Sequence, residues 1–173
     1  MVKKSLEERR RMKYFKYKTK IVVSKRFKGD NVVAGRMDGE TFVHGVSEKV
    51  FPSQLLEKVC ETDFVVKASV YQQILYVEDV IFVEDEGFVH GRPWSERYVM
   101  LRNRFNWTPS VSWSRSVVVT DADDIVKAVK AVSMTPGADG VFIHGYEDEY
   151  FSDKYLLDNE FIENLDLEED VSV

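Results

Sequence analysis

In the stretch "ILYVEDVIFVEDEG", beginning at Ile74, Leu75, Val77, Asp79, Ile81 and Val83 fall on one side of an extended chain. Tyr76, Glu78, Val80 and Phe82 fall on the other. That two-residue period, in β-branched and aromatic side chains, specifies a strand with one face toward a core. "DFVVKASVYQQ" just before it is likewise rich in Val, Phe and Tyr and reads as a second strand. "DNVVAGRMDGETFVHG" reads as two further short strands around the turn residues Met37, Asp38 and Gly39, a hairpin signal. "KIVVSKRF", "SVVVT" and "VFIHG" complete the β-rich set.

Helical spacing appears between these segments. "FPSQLLEKVCET" predicts a helix of two to three turns, with Pro52 near its start and Leu55, Leu56 and Val59 on one side. "RPWSERYVMLRNRF" aligns Trp94, Tyr98, Leu101 and Phe105 on a single face. Asp121 is placed to cap "DADDIVKAVKAVSM", whose Ile125, Val129 and Val132 form a narrow apolar stripe. Near the start, "SLEERRRMKYFKY" predicts a short helix capped by Ser5. Helices and strands do not alternate strictly, and several strands are hairpin-connected. The fold class expected is therefore α+β with mainly antiparallel sheets flanked by helices.

The charge is unevenly placed. The first twenty residues hold nine Lys or Arg against two Glu, whereas "DNEFIENLDLEED" near the end holds acids and no base. The division expected is a basic arm at 1–20, one domain at 21–157 and an acidic tail at 158–173. A basic arm can track the phosphates of DNA or RNA; it can equally be a solvated helix face that balances the tail. No apolar run approaches the roughly 20 residues of a membrane-spanning helix, and the single cysteine, Cys60, excludes an internal disulfide. A soluble cytoplasmic protein is expected, with no membrane partner.

Every histidine sits in a near-identical phrase: "FVHG" at Phe42–Gly45, "FVHG" at Phe88–Gly91 and "FIHG" at Phe142–Gly145. Three neutral imidazoles can bind zinc. Here, however, successive histidines are 46 and 54 residues apart, with no close pair on one rigid element and no acid at a fixed offset to orient a ring. Strand ends with separate local roles are the better reading.

The order of these segments resembles the nucleotidyltransferase (adenylation) domain of ATP-dependent DNA and RNA ligases and mRNA capping enzymes. The resemblance spans roughly residues 21–155. "LYVEDVIFVEDEGFVHGRPWSERYVMLRNRF" is similar to the stretch in which a strand of the type "fDvly.nG" leads into "g.p..eR...L". Asp79 stands at the acidic position, Gly87 at the turn and Arg97 at the helix arginine. "VSKRFKGDNVVA" resembles the nucleophile motif Lys-x-Asp-Gly, "DFVVKASV" the strand ending in a glutamate, and "GADGVFIHGYEDEY" the pattern "aEGvViK…pY". The fold implied is the nucleotidyltransferase, ATP-grasp-like ligase adenylation type.

In that family a lysine amine attacks the α-phosphate of ATP or GTP, with Mg2+ held by acids and cations offsetting charge. Alignment through Gly29 puts Arg26 at the nucleophile position and Lys28 at the motif aspartate. Ser69 replaces the next glutamate, Asp139 the glutamate of "EG", and His144 the later lysine. The resemblance thus implies phosphate contacts from Arg26, Lys28, Gly29, Arg97 and His144, and metal contacts from Asp79 and Asp139. Lys25 and Lys28 are the nearby amines that could serve as a displaced nucleophile. A guanidinium stays protonated and cannot attack phosphorus. The function expected is a catalytically degenerate ligase-like domain, binding nucleic acid or a protein as a regulatory module, with no cofactor assigned and ATP and Mg2+ as the ones the resemblance leaves open. The alternatives are an active nucleotidyltransferase using Lys25 or Lys28, and a structural or assembly protein. Trp94, Trp107 and Trp113 are candidates for base stacking, though core packing is the commoner role of such residues.

Overall fold

The computed structural model describes residues 20–165. The described strands are β1 (Ile21–Phe27), β2 (Asp30–Met37), β3 (Glu40–His44), β4 (Phe64–Tyr71), β5 (Ile74–Val83), β6 (Gly87–Phe88), β7 (Val111–Trp113), β8 (Val117–Val119), β9 (Ala138–Gly145) and β10 (Tyr155–Leu157). The α-helices are α1 (Trp94–Arg104), α2 (Ile125–Ser133) and α3 (Asn159–Glu163). Two compact units result: residues 20–27, 116–146 and 153–165 form the first, and 28–115 with 147–152 the second.

The first unit is a four-stranded antiparallel sheet in the order β10-β9-β1-β8. Ile21 and Val23 on β1, Val141 and Ile143 on β9, and Leu157 on β10 pack against Ile125, Val126, Val129 and Val132 of α2. Asp121, expected to cap that helix, accepts the Asp123 N–H and caps the 3-10 turn Ala122–Asp124 that leads into it, the helix itself starting after Asp124 without a side-chain cap. Asp158 caps α3 by accepting the Phe161 N–H at 2.9 Å. Phe161, Ile162 and Leu165 are buried in the same core. The stretch 158–165, read from its charge as the start of an acidic tail, is thus core-forming, because its apolar residues recur at helical spacing between the acids. The short helix read around Ser5, like the basic arm before residue 20 and the acids after 165, lies outside the described residues.

The second unit carries a sheet in the order β3-β2-β4-β5-β6, with β7 added parallel to β5. Asp38 and Gly39 turn the β2–β3 hairpin with φ of 53° and 77°. Gln72 and Gln73 do the same for β4–β5 with φ of 49° and 68°. Both pairs occupy the left-handed region that two-residue hairpin turns demand. One face of this sheet, including Val32, Ala34, Val66, Ala68, Leu75 and Val77, packs against Met100 and Leu101 of α1.

Two local expectations change. The β4–β5 register shifts between Val65 and Val66 and again between Lys67 and Ala68. These bulges break the strict alternation, so neighbours Asp79 and Val80 are both buried. The helix expected over "FPSQLLEKVCET" is a single 3-10 turn, Ser53–Leu56. Carbonyls that would extend it are taken from outside: Arg36 donates to the oxygens of Glu57 and Cys60, and Asn106 N–H donates to that of Val59 at 2.7 Å. Cys60 also bridges Phe105. These tertiary bonds override a weak local preference. Among the described residues no helix is long and apolar enough to cross a membrane.

Candidate functional site

In the first unit, β1 buries Ile21 and Val23 on its helix-covered face, and alternation sends Ser24 and Arg26 to the other. There Arg26 Nη2 donates to Asp139 Oδ2 at 3.2 Å, with both side chains nearly half-exposed. His144, opposite Val22 on β9, is 2 % exposed. Its Nδ1 lies 3.0 Å from the Gly145 carbonyl and its Nε2 lies 3.5 Å from Ser24 Oγ. Ser24 Oγ is in turn 2.9 Å from Ser116 Oγ. The sheet therefore brings Arg26, Asp139 and His144 onto neighbouring strands, but as an ion pair and a buried hydrogen-bonded ring.

Lys25 donates to the Pro136 carbonyl at 2.9 Å and lies 4.7 Å from the Phe27 ring centroid. Partial burial pulls its amine below the usual lysine range. In the second unit, Lys28 is exposed. A Cβ on Gly29 would stand 1.9 Å from the Val70 carbonyl oxygen, so glycine is needed here for close backbone approach.

Asp79 and Arg97 differ most from the expected metal and phosphate roles. Arg97 Nε donates to Asp79 Oδ1 at 2.9 Å and Nη2 to Oδ2 at 3.2 Å, both side chains being almost fully buried. Arg97 Nη1 reaches the carbonyls of Arg92 and Asp148, and Asp79 Oδ1 also accepts the Val80 N–H. Each group is committed to the other and to backbone, which ties β5, α1 and the segment 147–152 together.

A polar cluster on β4 and β5 includes Ser69, the residue at the expected glutamate position, which is fully buried. Lys67 Nζ is 3.1 Å from Glu78 Oε2. The Ser69 hydroxyl lies 3.3 Å from that same oxygen and 3.1 Å from Asn31 Oδ1. Burial raises the Tyr150 phenol above its ordinary range, opposed by Lys67 and reinforced by Asp79 and Glu78. The available signal was alternation itself, since Lys67 and Ser69 share one side of β4 and Glu78 faces away from Asp79 on β5.

Of the tryptophans, Trp94 is buried, while Trp107 and Trp113 stack at 5.9 Å against the core of the second unit. The histidines occupy separate elements: His44 ends β3 beside the Phe42 ring, His90 lies between Phe88 and Phe151, and His144 is in β9. Among the described residues no three His, Cys, Asp or Glu side chains gather to hold a metal ion. The acids that the resemblance assigns to Mg2+ are each bound to a guanidinium, so this donor set does not fit the cation.

Two mainly antiparallel sheets with packed helices, and a strand-turn-helix in which Asp79 and Arg97 stand as the ligase pattern has them, define the α+β nucleotidyltransferase fold of ATP-dependent ligases. The ligase domain of Mycobacterium tuberculosis LigD is one solved structure of this kind, similar at a TM-score of 0.56 over 81 % of this chain, with 12 % identity. The chain spans 50 % of that domain's length. No family model and no curated protein matches the sequence.

Proposed function

We propose that this chain is a ligase-fold domain that does not transfer nucleotides and serves as a cytoplasmic binding or regulatory module. DNA or RNA is the first partner class, approached through the basic first twenty residues, with a protein as the alternative. The observation that carries the reading is the Arg26–Asp139 ion pair. Nucleotidyl transfer needs an amine that can lose its proton beside acids free to bind a divalent cation. At the aligned positions a permanently charged guanidinium holds the acid instead. Incubation with labelled ATP or GTP and Mg2+ or Mn2+ should leave no covalent label on the protein after denaturation at neutral or alkaline pH, where a lysyl-phosphoramidate survives, while a labelled oligonucleotide should bind at low salt. A covalently labelled band on intact protein would end the non-catalytic reading; no oligonucleotide binding at low salt would leave the protein partner.

One observation favours the active alternative. The lowered pKa of Lys25 leaves more free amine at neutral pH than an ordinary lysine has. Should label appear, Lys25→Met must abolish it if this amine is the nucleophile, and Lys28→Met is the matching control.

A further inference from the structure

Two five-residue phrases end in the same way: Glu84-Asp85-Glu86-Gly87-Phe88 and Glu147-Asp148-Glu149-Tyr150-Phe151. The second unit brings them together. Tyr150 N–H donates to the His90 carbonyl at 2.9 Å. The His90 ring lies edge-on between the two phenyl groups, 5.9 Å from Phe88 and 5.5 Å from Phe151. Phe82 continues the row beyond Phe88, and Tyr150 beyond Phe151. Phe88 is 69 % exposed and Phe151 76 % exposed. Large apolar groups this open, held side by side, mark an interaction surface.

The flanking charge indicates the occupant. The two phrases supply six carboxylates. Arg92 and Arg104 offset Asp85 and Glu86, and Glu149 is exposed with Glu147 beside Ser95. A nucleic-acid backbone would meet like charge. A second copy docking the same patch would set acids against acids. A strand of alternating cations and aromatic or aliphatic residues meets neither penalty, and its cations gain the faces of the exposed rings.

We infer that the Phe88–His90–Phe151 patch docks a lysine- and arginine-rich, aromatic-containing peptide segment of a protein partner. This goes beyond the absence of nucleotidyl transfer and does not depend on it. The test uses the full chain and a fluorescein-labelled peptide, Arg-Lys-Phe-Arg-Lys-Phe-Arg-Lys, followed by anisotropy. The native chain should bind it, and a version with Glu in place of every cation should not bind. Phe88→Ala/Phe151→Ala should weaken binding by about tenfold or more, as for paired aromatic anchors, with an unchanged melting temperature because both rings are exposed. Glu147→Gln/Glu149→Gln should weaken it less and flatten its salt dependence. Equal affinity in native chain and double-phenylalanine variant would overturn the inference. So would a single-stranded oligonucleotide, or a concentration-dependent dimer, whose binding that variant abolishes, since either would make the patch a different interface. Oligonucleotide binding that survives in the variant belongs to the proposed function alone.

Discussion

A buried ion pair is a poor source of stability while intact, yet breaking it is costly, because the surviving charge keeps its desolvation penalty. Asp79 and Arg97 meet that description, with side chains 3 % and 1 % exposed. Asp79→Ala should therefore lose about 3–5 kcal/mol, or about 10 °C in melting temperature for a chain of this size. Asp79→Leu/Arg97→Met should lie closer to the native value than either single change, since no lone charge remains. Thermal melts decide it, and a single variant melting like the native chain would show that the pair is open to solvent. Tyr150 allows a pH argument. Its phenol titrates above the ordinary value of 10.0, chiefly because it is buried. Below pH 10 the phenol is neutral folded or unfolded and contributes nothing. As pH rises past 10 the unfolded chain loses this proton first, so stability falls until the folded phenol ionises too. Urea midpoints followed upward from pH 9 should drop more steeply for the native chain than for Tyr150→Phe; parallel curves would place the phenol in water.

At the scale of elements, the β4–β5 hairpin holds an unused increment of stability. Gln72 and Gln73 both have positive φ, a conformation that Asn and Gly adopt at lower cost. Gln72→Asn/Gln73→Gly should raise stability by about 0.5–1 kcal/mol, a shift of about 2 °C, and no upward shift in the melt would mean that the turn relaxes otherwise. The same hairpin shows how far the sequence could be read. Its strands were legible because Val, Ile, Tyr and Phe in alternation leave few options, and "MDG" similarly marked the β2–β3 turn. The bulges beside Asp79 were not legible, since they answer to the partner strand's register rather than to local pattern. Nor was the loss of the helix around Leu56, where Arg36 and Asn106 take the carbonyls from a distance. Of the candidate site, Arg26, Asp139 and His144 fall on the paired strands β1 and β9. What no motif could disclose is that Asp79 and Arg97 satisfy one another.

For the whole molecule, charge distribution matters more than net charge. Beyond the first twenty residues the chain has fifteen Lys or Arg against twenty-eight Asp or Glu. Five arginines of the described residues are bound to carboxylates: Arg26, Arg36, Arg92, Arg97 and Arg104. Acids outnumber bases beyond the first twenty residues, so if nucleic acid binds as proposed, binding through the basic first segment should depend steeply on salt. Each cation that neutralises a phosphate adds about 0.7 to the salt slope on a single strand and about 0.9 on a duplex. Arg9, Arg10 and Arg11 are consecutive, and replacing all three with Gln should reduce the slope by about 2–3 if each contacts a phosphate. The melting temperature should hold, and so should affinity for the cationic peptide, because that ligand uses the opposite charge. An unchanged slope with intact oligonucleotide binding would move the contact elsewhere on the chain, and the exposed Arg102 and Arg115 would be the next cations to test. A slope that collapses while peptide binding persists would separate two surfaces of opposite charge, one for phosphate and one for a basic segment.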